Sequence, residues 1–434
     1  MVHDIGIESS LDCRIIFFGV LAVSVSVDSF SIPGMHFPES KGISLLKEVE
    51  DDLKLFIEFM QRFRKTYKDA VEQAKRFDIF KLNLKVVEKL NQGERGSAVY
   101  GVTKFSDITQ EEFQSYLTAN FTQAPSNLIF RRSPGRIPGG GGGSRRSDKI
   151  ARPRKPTKSP PPTVPVSQPS APSPPPPTVP ARSQPPGPSP PPQKPGPGVT
   201  PNTNGKTIPN YPKGFSYRLY PNYPPVKDQG EKCGCCWAFA TTSALEILYS
   251  FFFKRAVSLS VQQLVDCSGP SNGCNGGYSF LGIEYALNVY VQLDSEYPYE
   301  AVKKECRYKS ENGFIRFSEA IAFSDEDSIE TCLTYYGVPV MSVHGAPLQF
   351  FVEGIMDPPD CAKDRKTHAV VVVGFVTGKD KTGKVVDSWI VRNSWGEDWG
   401  VKGHFALKRG SNVCGIGKWG VCTRAQRASL FRPV

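Results

Sequence analysis

The chain contains a small set of residues whose chemistry could activate a sulfur atom for attack on a carbonyl carbon. Cys236 stands where a long apolar helix is predicted to begin, and the positive end of a helix dipole favours a thiolate. A thiolate nucleophile also needs a base to share its proton and a third group to orient that base. The part of the chain that reads as folded offers His344, His368 and His404 as bases. Taken singly, each of these residues is more often structural, so the sequence around them has to decide.

The segment around Cys236 favours the catalytic interpretation. Residues 229–239 read Gln-Gly-Glu-Lys-Cys-Gly-Cys-Cys-Trp-Ala-Phe. This segment resembles the Gln-Gly-x-Cys-Gly-Ser-Cys-Trp-Ala-Phe motif of papain-like cysteine proteases. The resemblance implies that Cys236 is the nucleophile. It also implies that the side chain of Gln229 and the backbone N–H of Cys236 stabilise the negative charge that develops on the scissile carbonyl oxygen.

Two further segments are similar to the same family. The run His368-Ala-Val-Val-Val-Val-Gly374 resembles the family's (Asn/Asp)-His-(Ala/Gly)-Val-x-x-Val-Gly segment, with Thr367 before the histidine. Residues 393–396 read Asn-Ser-Trp-Gly, as in the family. The resemblance implies that His368 is the general base, that Asn393 orients its imidazole, and that Trp395 shields their hydrogen bond from water. Because the three motifs occur in the family's order, we expect a papain-like fold.

The resemblance also implies where a substrate would bind. Residues 272–277 read Asn-Gly-Cys-Asn-Gly-Gly, and the backbone of Gly276 and Gly277 is expected to pair with an extended polypeptide beside Tyr278. Trp395 is expected to contact the substrate as well. Trp419 stands where the wall of the second specificity pocket normally carries a smaller residue, which implies a shallow pocket for small or medium side chains.

Cysteine positions extend the resemblance and also depart from it. The family's pattern implies three disulfides, Cys233–Cys274, Cys267–Cys306 and Cys361–Cys414, and leaves Cys235, Cys332 and Cys422 unassigned. Cys235 replaces the serine beside the nucleophile and could trap that nucleophile in a disulfide. One extra residue separates Gln229 from Cys233, which could displace the side chain of Gln229. Ser216-Tyr217 stands where the family usually has Asp-Trp.

Residues 45–92 are predicted to form two helices, and the second helix carries an unusual polar stripe. Its members follow one another at intervals of 4, 4, 3, 4 and 4 residues, which keeps them on one helical face: Glu72, Arg76, Phe80, Asn83, Val87 and Asn91. The spacing resembles the pro-region motif of papain-like proteases, and residues 101–107 resemble the family's Gly-x-Asn-x-Phe-x-Asp element. The resemblance implies a helical inhibitory propeptide over residues 45–115. Ion-paired acids such as Asp107 would favour its release in acid.

A basic, proline-dense segment separates these two parts. The chain has 434 residues and a net charge of +11, and residues 131–205 contain twelve Lys and Arg against the single acid Asp148. No aromatic residue lies between Phe130 and Tyr211 to stack on bases, so a solvated linker without fixed structure is favoured over a polyanion-binding tail. Such a chain favours polyproline II, and a docking ligand for a proline-recognising groove remains an alternative.

The cysteines and the N-terminus indicate the secretory pathway. Ten of the eleven cysteines lie at or beyond Cys233, a density typical of an oxidising compartment. The apolar run 15–27 predicts a signal peptide over residues 1–27, although the acids before it depart from the usual pattern and leave a signal anchor as the alternative. The sequon at Asn120 agrees with secretion. We therefore expect a lysosomal or extracellular location.

Together these features predict an α+β protein with a papain-like two-lobed fold, one lobe helical and the other barrel-like. The peptidase domain is expected at 207–434. The expected function is that of a cysteine endopeptidase zymogen that hydrolyses polypeptide substrates, needs no cofactor or metal, and is inhibited by its own propeptide. Cystatin-type inhibitors are expected partners, nucleic acid is not, and a monomer is expected. The alternative is a catalytically weak binding or matrix protein that works through its proline-rich arm.

Overall fold

The computed structural model describes residues 39–117, 199–201, 207–209, 214–269 and 271–425. The predicted signal peptide, the sequon at Asn120 and most of the predicted linker lie outside these residues. Strand β2 (Val199–Pro201) pairs antiparallel with β3 (Thr207–Pro209). Both strands carry β-branched residues, which favour an extended backbone.

Two long helices open the described chain. Helix α1 spans Glu39–Phe63 and α2 spans Ala70–Gly93, where Asp69 caps the first turn by accepting a hydrogen bond from the backbone N–H of Glu72 at 2.8 Å. The helices pack through the buried rings of Phe56, Phe59 and Phe80. Strand β1 (Val99–Tyr100) and the short helix α3 (Gln110–Tyr116) follow.

The polar stripe of α2 holds the segment that leads to α3. The Asn83 side-chain amide donates to the carbonyl oxygens of Ser106 and Ile108, each at 2.9 Å. Arg76 forms an ion pair with Glu112 at 2.7 Å. Since these groups satisfy backbone and side-chain atoms of the next segment, the stripe is a binding surface for residues 100–112 rather than a solvated face.

A buried helix forms the centre of the C-terminal part. Helix α4 spans Cys236–Phe253, with α5 (Val261–Cys267) and α6 (Ser279–Asn288) packed against it. Its buried Glu246 pairs with Lys227 at 2.7 Å. Among the described residues, α4 alone is long and apolar enough to cross a membrane, but most of it is buried inside the protein, as in a core helix.

An eight-stranded sheet completes this part. Its strands are β4 (Gly214–Ser216), β5 (Glu319–Phe323), β6 (Val338–Val343), β8 (Ile355–Met356), β9 (His368–Lys379), β10 (Val385–Arg392), β11 (His404–Lys408) and β12 (Gly420–Arg424). The order is β5-β12-β6-β9-β10-β11-β8, and β4 also pairs with β9. Helix α7 (Glu326–Thr334) packs on β6 and β12, while β7 (Phe351–Glu353) pairs antiparallel with β1. The N-terminal segment is thereby joined to the C-terminal part by main-chain hydrogen bonds.

The described cysteines form four disulfides: Cys233–Cys274, Cys267–Cys306, Cys361–Cys414 and Cys332–Cys422. The first three are the pairs that the family's pattern implies. The fourth joins α7 to β12, two elements whose cysteines are 90 positions apart in the chain. Neither cysteine lies in a motif, so the sequence left this pair open.

Candidate active site

Cys236 is the first residue of α4, and its backbone surroundings fix it there. The preceding Cys235 occupies the N-cap position, and its side chain makes no capping hydrogen bond. The Cys233–Cys274 disulfide and a 2.8 Å hydrogen bond from Gly234 N–H to the carbonyl oxygen of Cys274 hold the chain that leads into the helix. Cys236 is fully buried, so the helix dipole acts on its sulfur without much screening by water.

The sheet brings His368 and Asn393 together. His368 begins β9 and Asn393 follows the last residue of β10, and the two strands run antiparallel, so these ends meet. His368 Nε2 lies 2.7 Å from Asn393 Oδ1. Because an amide oxygen can only accept, Nε2 carries the proton, and Nδ1 is left to exchange a proton with another group.

The start of β9 lies against Cys236. The backbone N–H of Ala369 donates to Cys236 Sγ at 3.2 Å, so the sulfur contacts the residue that follows His368. The ring of Trp395 stacks on the His368 imidazole, with centroids 4.7 Å apart. His344 and His404 have other partners: His344 Nδ1 accepts from Ala362 N–H, and His404 bonds with Tyr223.

Burial changes the acidity of His368. The imidazole is fully buried, and loss of solvation lowers its pKa to about 4, although the hydrogen bond to Asn393 acts in the opposite direction. His368 is therefore neutral at ordinary pH in this covered form of the site.

The extra residue before Cys233 does not remove Gln229 from the site. Gln229 is fully buried, its Oε1 accepts from the Ser394 hydroxyl at 2.8 Å, and its Nε2 donates to the carbonyl oxygen of Cys233 at 3.3 Å. Gly230, which has φ +66°, turns the chain directly after it. The longer loop therefore leaves the amide N–H groups of Gln229 facing the cleft.

Cys235 is a free thiol in this structure. Its Sγ lies 3.1 Å from the hydroxyl of Tyr299, which in turn donates to the carbonyl oxygen of Gln229 at 2.8 Å. Burial raises the pKa of the Cys235 thiol to about 12, and the hydrogen bond with Tyr299 offsets only part of that effect. The expected risk of a trapping disulfide is thus not realised here. Tyr299 contacts the site through Gln229, and no sequence signal had identified it.

The predicted substrate-binding residues differ in their structural settings and in how close they lie to the nucleophile. Gly277 lies over Trp237, whose ring would stand 2.7 Å from a methyl group added at Gly277, and Gly276 has φ +103°. Packing against Trp237 therefore requires glycine at 277, and the backbone conformation requires it at 276. Tyr278 is the N-cap residue of α6. Trp419 is 45% exposed, and its carbonyl oxygen accepts from Ser342 N–H at 3.1 Å.

Residues of the N-terminal segment occupy the cleft beside these groups. The carbonyl oxygen of Tyr116 accepts a 3.0 Å hydrogen bond from Gln229 Nε2. The carbonyl oxygen of Ser115 and the side chain of Leu117 lie against Gly234 and Gly345 respectively. A carbonyl group of the chain itself therefore stands at the amide predicted to receive the scissile carbonyl of a substrate.

An aromatic cluster extends this contact. The rings of Phe105 and Phe113 meet Trp395 edge-on, with centroids 5.1 Å and 5.5 Å away. Gln349 holds Thr103 and Phe105. The Thr103 hydroxyl donates to the backbone carbonyl oxygen of Gln349, and the side-chain amide of Gln349 donates to the carbonyl oxygen of Phe105. Among the described residues, no group of three or more histidine, cysteine or acidic side chains could hold a metal ion.

Comparison with known proteins agrees with this geometry. Residues 211–423 match the model of the papain family of cysteine proteases, and residues 56–113 match that of the cathepsin propeptide inhibitor domain. Cysteine proteinase 15A of Pisum sativum is 29% identical over 374 residues, 83% of each chain. Human cathepsin O is 40% identical over 218 residues, 48% of this chain and 66% of its own.

Solved structures support the same architecture. A digestive procathepsin L2 proteinase from the larval midgut of Tenebrio molitor matches with a TM-score of 0.62 at 24% identity, covering 86% of this chain and 99% of that one. The predicted α+β papain-like fold with a propeptide is confirmed. The chain belongs to the papain family of cysteine proteases, as a cathepsin-like precursor with a propeptide inhibitor domain. It is a cysteine peptidase, and the alternative of a weakly catalytic binding protein finds no support among these relatives.

Proposed function

We propose that the protein is the zymogen of an endopeptidase that works through Cys236, His368 and Asn393, with Gln229 as the side-chain donor to the oxyanion. The observation that carries the proposal is the 2.7 Å contact between His368 Nε2 and Asn393 Oδ1, next to a strand residue that bonds the sulfur of Cys236. This arrangement supplies a nucleophile at a helix N-terminus, a base and an orienting group.

The proposed reaction assigns one task to each group. The Cys236 thiolate attacks the scissile carbonyl carbon, and the carbonyl oxygen becomes an oxyanion that accepts from Gln229 Nε2 and the Cys236 backbone N–H. The imidazolium of His368 then protonates the leaving amine through Nδ1, and a thioester remains. Water, deprotonated by neutral His368, attacks the thioester and releases the acid and the Cys236 thiolate, which restores the thiolate and imidazolium that began the reaction.

We infer that residues 45–115 inhibit the enzyme by occupying this site before activation. The support is the Tyr116 carbonyl at Gln229 and the aromatic contacts of Phe105 and Phe113 with Trp395. The proposed mature enzyme lies within 207–434, after a signal peptide at 1–27 and the linker at 131–205. Maturation is expected at about residues 200–210, where the linker ends.

We also propose that acid weakens the inhibitory contact. Partial burial alone would raise the pKa of Glu112, but the hydrogen bond and charge of Arg76 and the N–H of Thr109 outweigh it and hold that pKa below its usual range. A depressed carboxyl pKa contributes stability above the unfolded value, near 4.3, and loses it as pH falls through the folded value. Lys65 and Asp107 form a further ion pair within the same segment, at 3.0 Å. Release below about pH 4 follows.

Further properties follow from family membership and remain part of the proposal. Trp419 narrows the second specificity pocket, so small or medium side chains are expected there. A secretory route to the lysosome or the extracellular space agrees with the four disulfides. Polypeptide substrates, cystatin-type inhibitors and a monomeric state are expected.

Labelling with an epoxide or vinyl-sulfone probe after acid treatment tests the assignment. The wild type and Cys235→Ser should be labelled and should hydrolyse peptides, whereas Cys236→Ala should do neither. Labelling that persists in Cys236→Ala would show that another cysteine is the nucleophile. An unlabelled, inactive wild type would refute the proposed function.

A further inference from the structure

Two carboxylates lie side by side at the rim of the cleft, next to Trp395. Asp228 precedes Gln229 and forms an isolated β-bridge with Trp395, and Asp398 follows in the same turn as Gly396. A methyl group added at Gly396 would lie 2.9 Å from an oxygen of Asp398 and 3.2 Å from an oxygen of Asp228. Both carboxylates therefore overlie the same glycine.

A lysine of the propeptide occupies the space between them. The ammonium of Lys104 lies 2.5 Å from Asp228 and 3.9 Å from Asp398, and its side chain is only 12% exposed. Its nitrogen also stands 5.5 Å from the centre of the Phe105 ring. The propeptide thus presents a bound cation at this pair of acids, in the same segment that places its aromatic rings on Trp395.

The mature enzyme would lose this cation with its propeptide. Asp228 and Asp398 have side chains that are 43% and 60% exposed even while Lys104 is bound. The neighbouring Lys227 cannot replace Lys104, because its ammonium is directed inward to Glu246 and the carbonyl oxygen of Leu259, each at 2.7 Å. Removal of the propeptide leaves two like charges close together and exposed to solvent.

The position of the pair relative to the scissile bond follows from the chemistry. His368 must donate its proton to the leaving amine, so the leaving segment of the substrate lies on the side of the imidazole. Trp395 stacks on that imidazole and Asp228 bridges to Trp395. The two carboxylates therefore border the part of the cleft that holds residues C-terminal to the cleaved bond.

We propose that Asp228 and Asp398 form a subsite that selects substrates with a lysine or arginine within the first three residues after the scissile bond. The proposal rests on the function proposed above. In the zymogen, Lys104 already occupies the place that a basic residue of the substrate would take between the two carboxylates. The carboxylate of Asp228 is oriented for this task, since its other oxygen accepts from Gly230 N–H at 2.9 Å. Because both acids are partly exposed, a preference of about fivefold to tenfold is expected, falling as salt is added.

Internally quenched peptides measure this preference on the acid-activated enzyme. The residues before the bond are kept constant, and the first, second or third residue after it is lysine, arginine, norleucine or glutamate. In the wild type, kcat/KM for lysine should exceed that for norleucine by about fivefold to tenfold at one of these positions, and glutamate should be the poorest. In Asp228→Asn with Asp398→Asn the ratio of lysine to norleucine should fall to near one.

Glu296→Gln combined with Glu311→Gln is the matched control, because the two changes remove two negative charges at exposed positions with no place in the proposed subsite. Its lysine-to-norleucine ratio should stay at the wild-type value. A flat preference in a wild-type enzyme that cleaves the peptides well would overturn the subsite while leaving the proposed function intact. An equal loss of preference in the Glu296→Gln, Glu311→Gln control would also overturn it, since the effect would then come from net charge. Failure to cleave any peptide would instead count against the proposed function.

Discussion

Replacing Gln229 with alanine should remove the proposed side-chain donor to the oxyanion and leave the rest of the site in place. The Gln229 amide already donates to a carbonyl oxygen in the cleft, that of Tyr116, at 3.0 Å. Loss of one such donor costs about 100-fold to 1,000-fold in kcat, or about 2.7–4 kcal/mol, with a smaller change in KM.

The assay is steady-state hydrolysis of a fluorogenic peptide by the acid-activated variant, with active sites counted by covalent labelling of Cys236. Counting separates slow chemistry from a smaller folded fraction. Ser394→Ala is the matched control, because it removes the hydroxyl that donates to Gln229 Oε1 at 2.8 Å but keeps the donor itself. It should lower kcat by about tenfold or less, as expected for a neutral hydrogen bond. A Gln229→Ala enzyme with kcat within about threefold of wild type would refute the assigned role.

Three further changes have expected outcomes. Replacing Cys332 and Cys422 with alanine opens a cross-link between residues 90 apart and should lower the free energy of unfolding by about 2–4 kcal/mol in thermal melts, with activity at 25 °C retained. Glu112→Gln removes an ion pair that acid would otherwise have to break, so the midpoint of activation against pH should move upward. Gly277→Ala would place a methyl group 2.7 Å from the Trp237 ring and should cost about 1–3 kcal/mol of stability and lower kcat/KM.

The parts of the fold that could be predicted from sequence are those with short-range patterns. The spacing of the polar residues on α2 was enough to predict which face of the helix binds other residues, since it places Arg76 and Asn83 on one side. The structure adds what each contacts: Glu112 for the first, the carbonyl oxygens of Ser106 and Ile108 for the second. Those partners lie 23 to 36 positions away, where helical periodicity carries no information.

In the candidate active site, too, the sequence motifs identify residues, whereas their distant partners become visible only in the structure. The motif around Cys236 identified Gln229, but the extra residue in the loop suggested that its side chain is displaced. The buried hydrogen bond with Ser394 shows how the loop accommodates that residue. Tyr299 bonds the Gln229 carbonyl from 70 positions away, and the acidic pair at the cleft rim is formed by residues 170 apart in the chain. A tyrosine or an aspartate with no motif around it resembles any surface residue until the fold brings its partners near.

Burial of the candidate site in the zymogen changes the charge state of His368 as well as access to the site. Burial lowers the pKa of His368 from 6.5 to about 4 in the zymogen, which disfavours the imidazolium by roughly 3 kcal/mol. A thiolate at Cys236 would gain most from an imidazolium beside it, so we expect the propeptide to weaken the proposed nucleophile by keeping water away from His368. Release should rehydrate the ring, and the charge of the thiolate should raise its pKa well above 6.5. Proton NMR of the imidazole in the precursor and in the activated enzyme, assigned with His368→Gln, measures both midpoints. The precursor should titrate near pH 4 and the mature enzyme several pH units higher; equal midpoints would show that inhibition is steric alone.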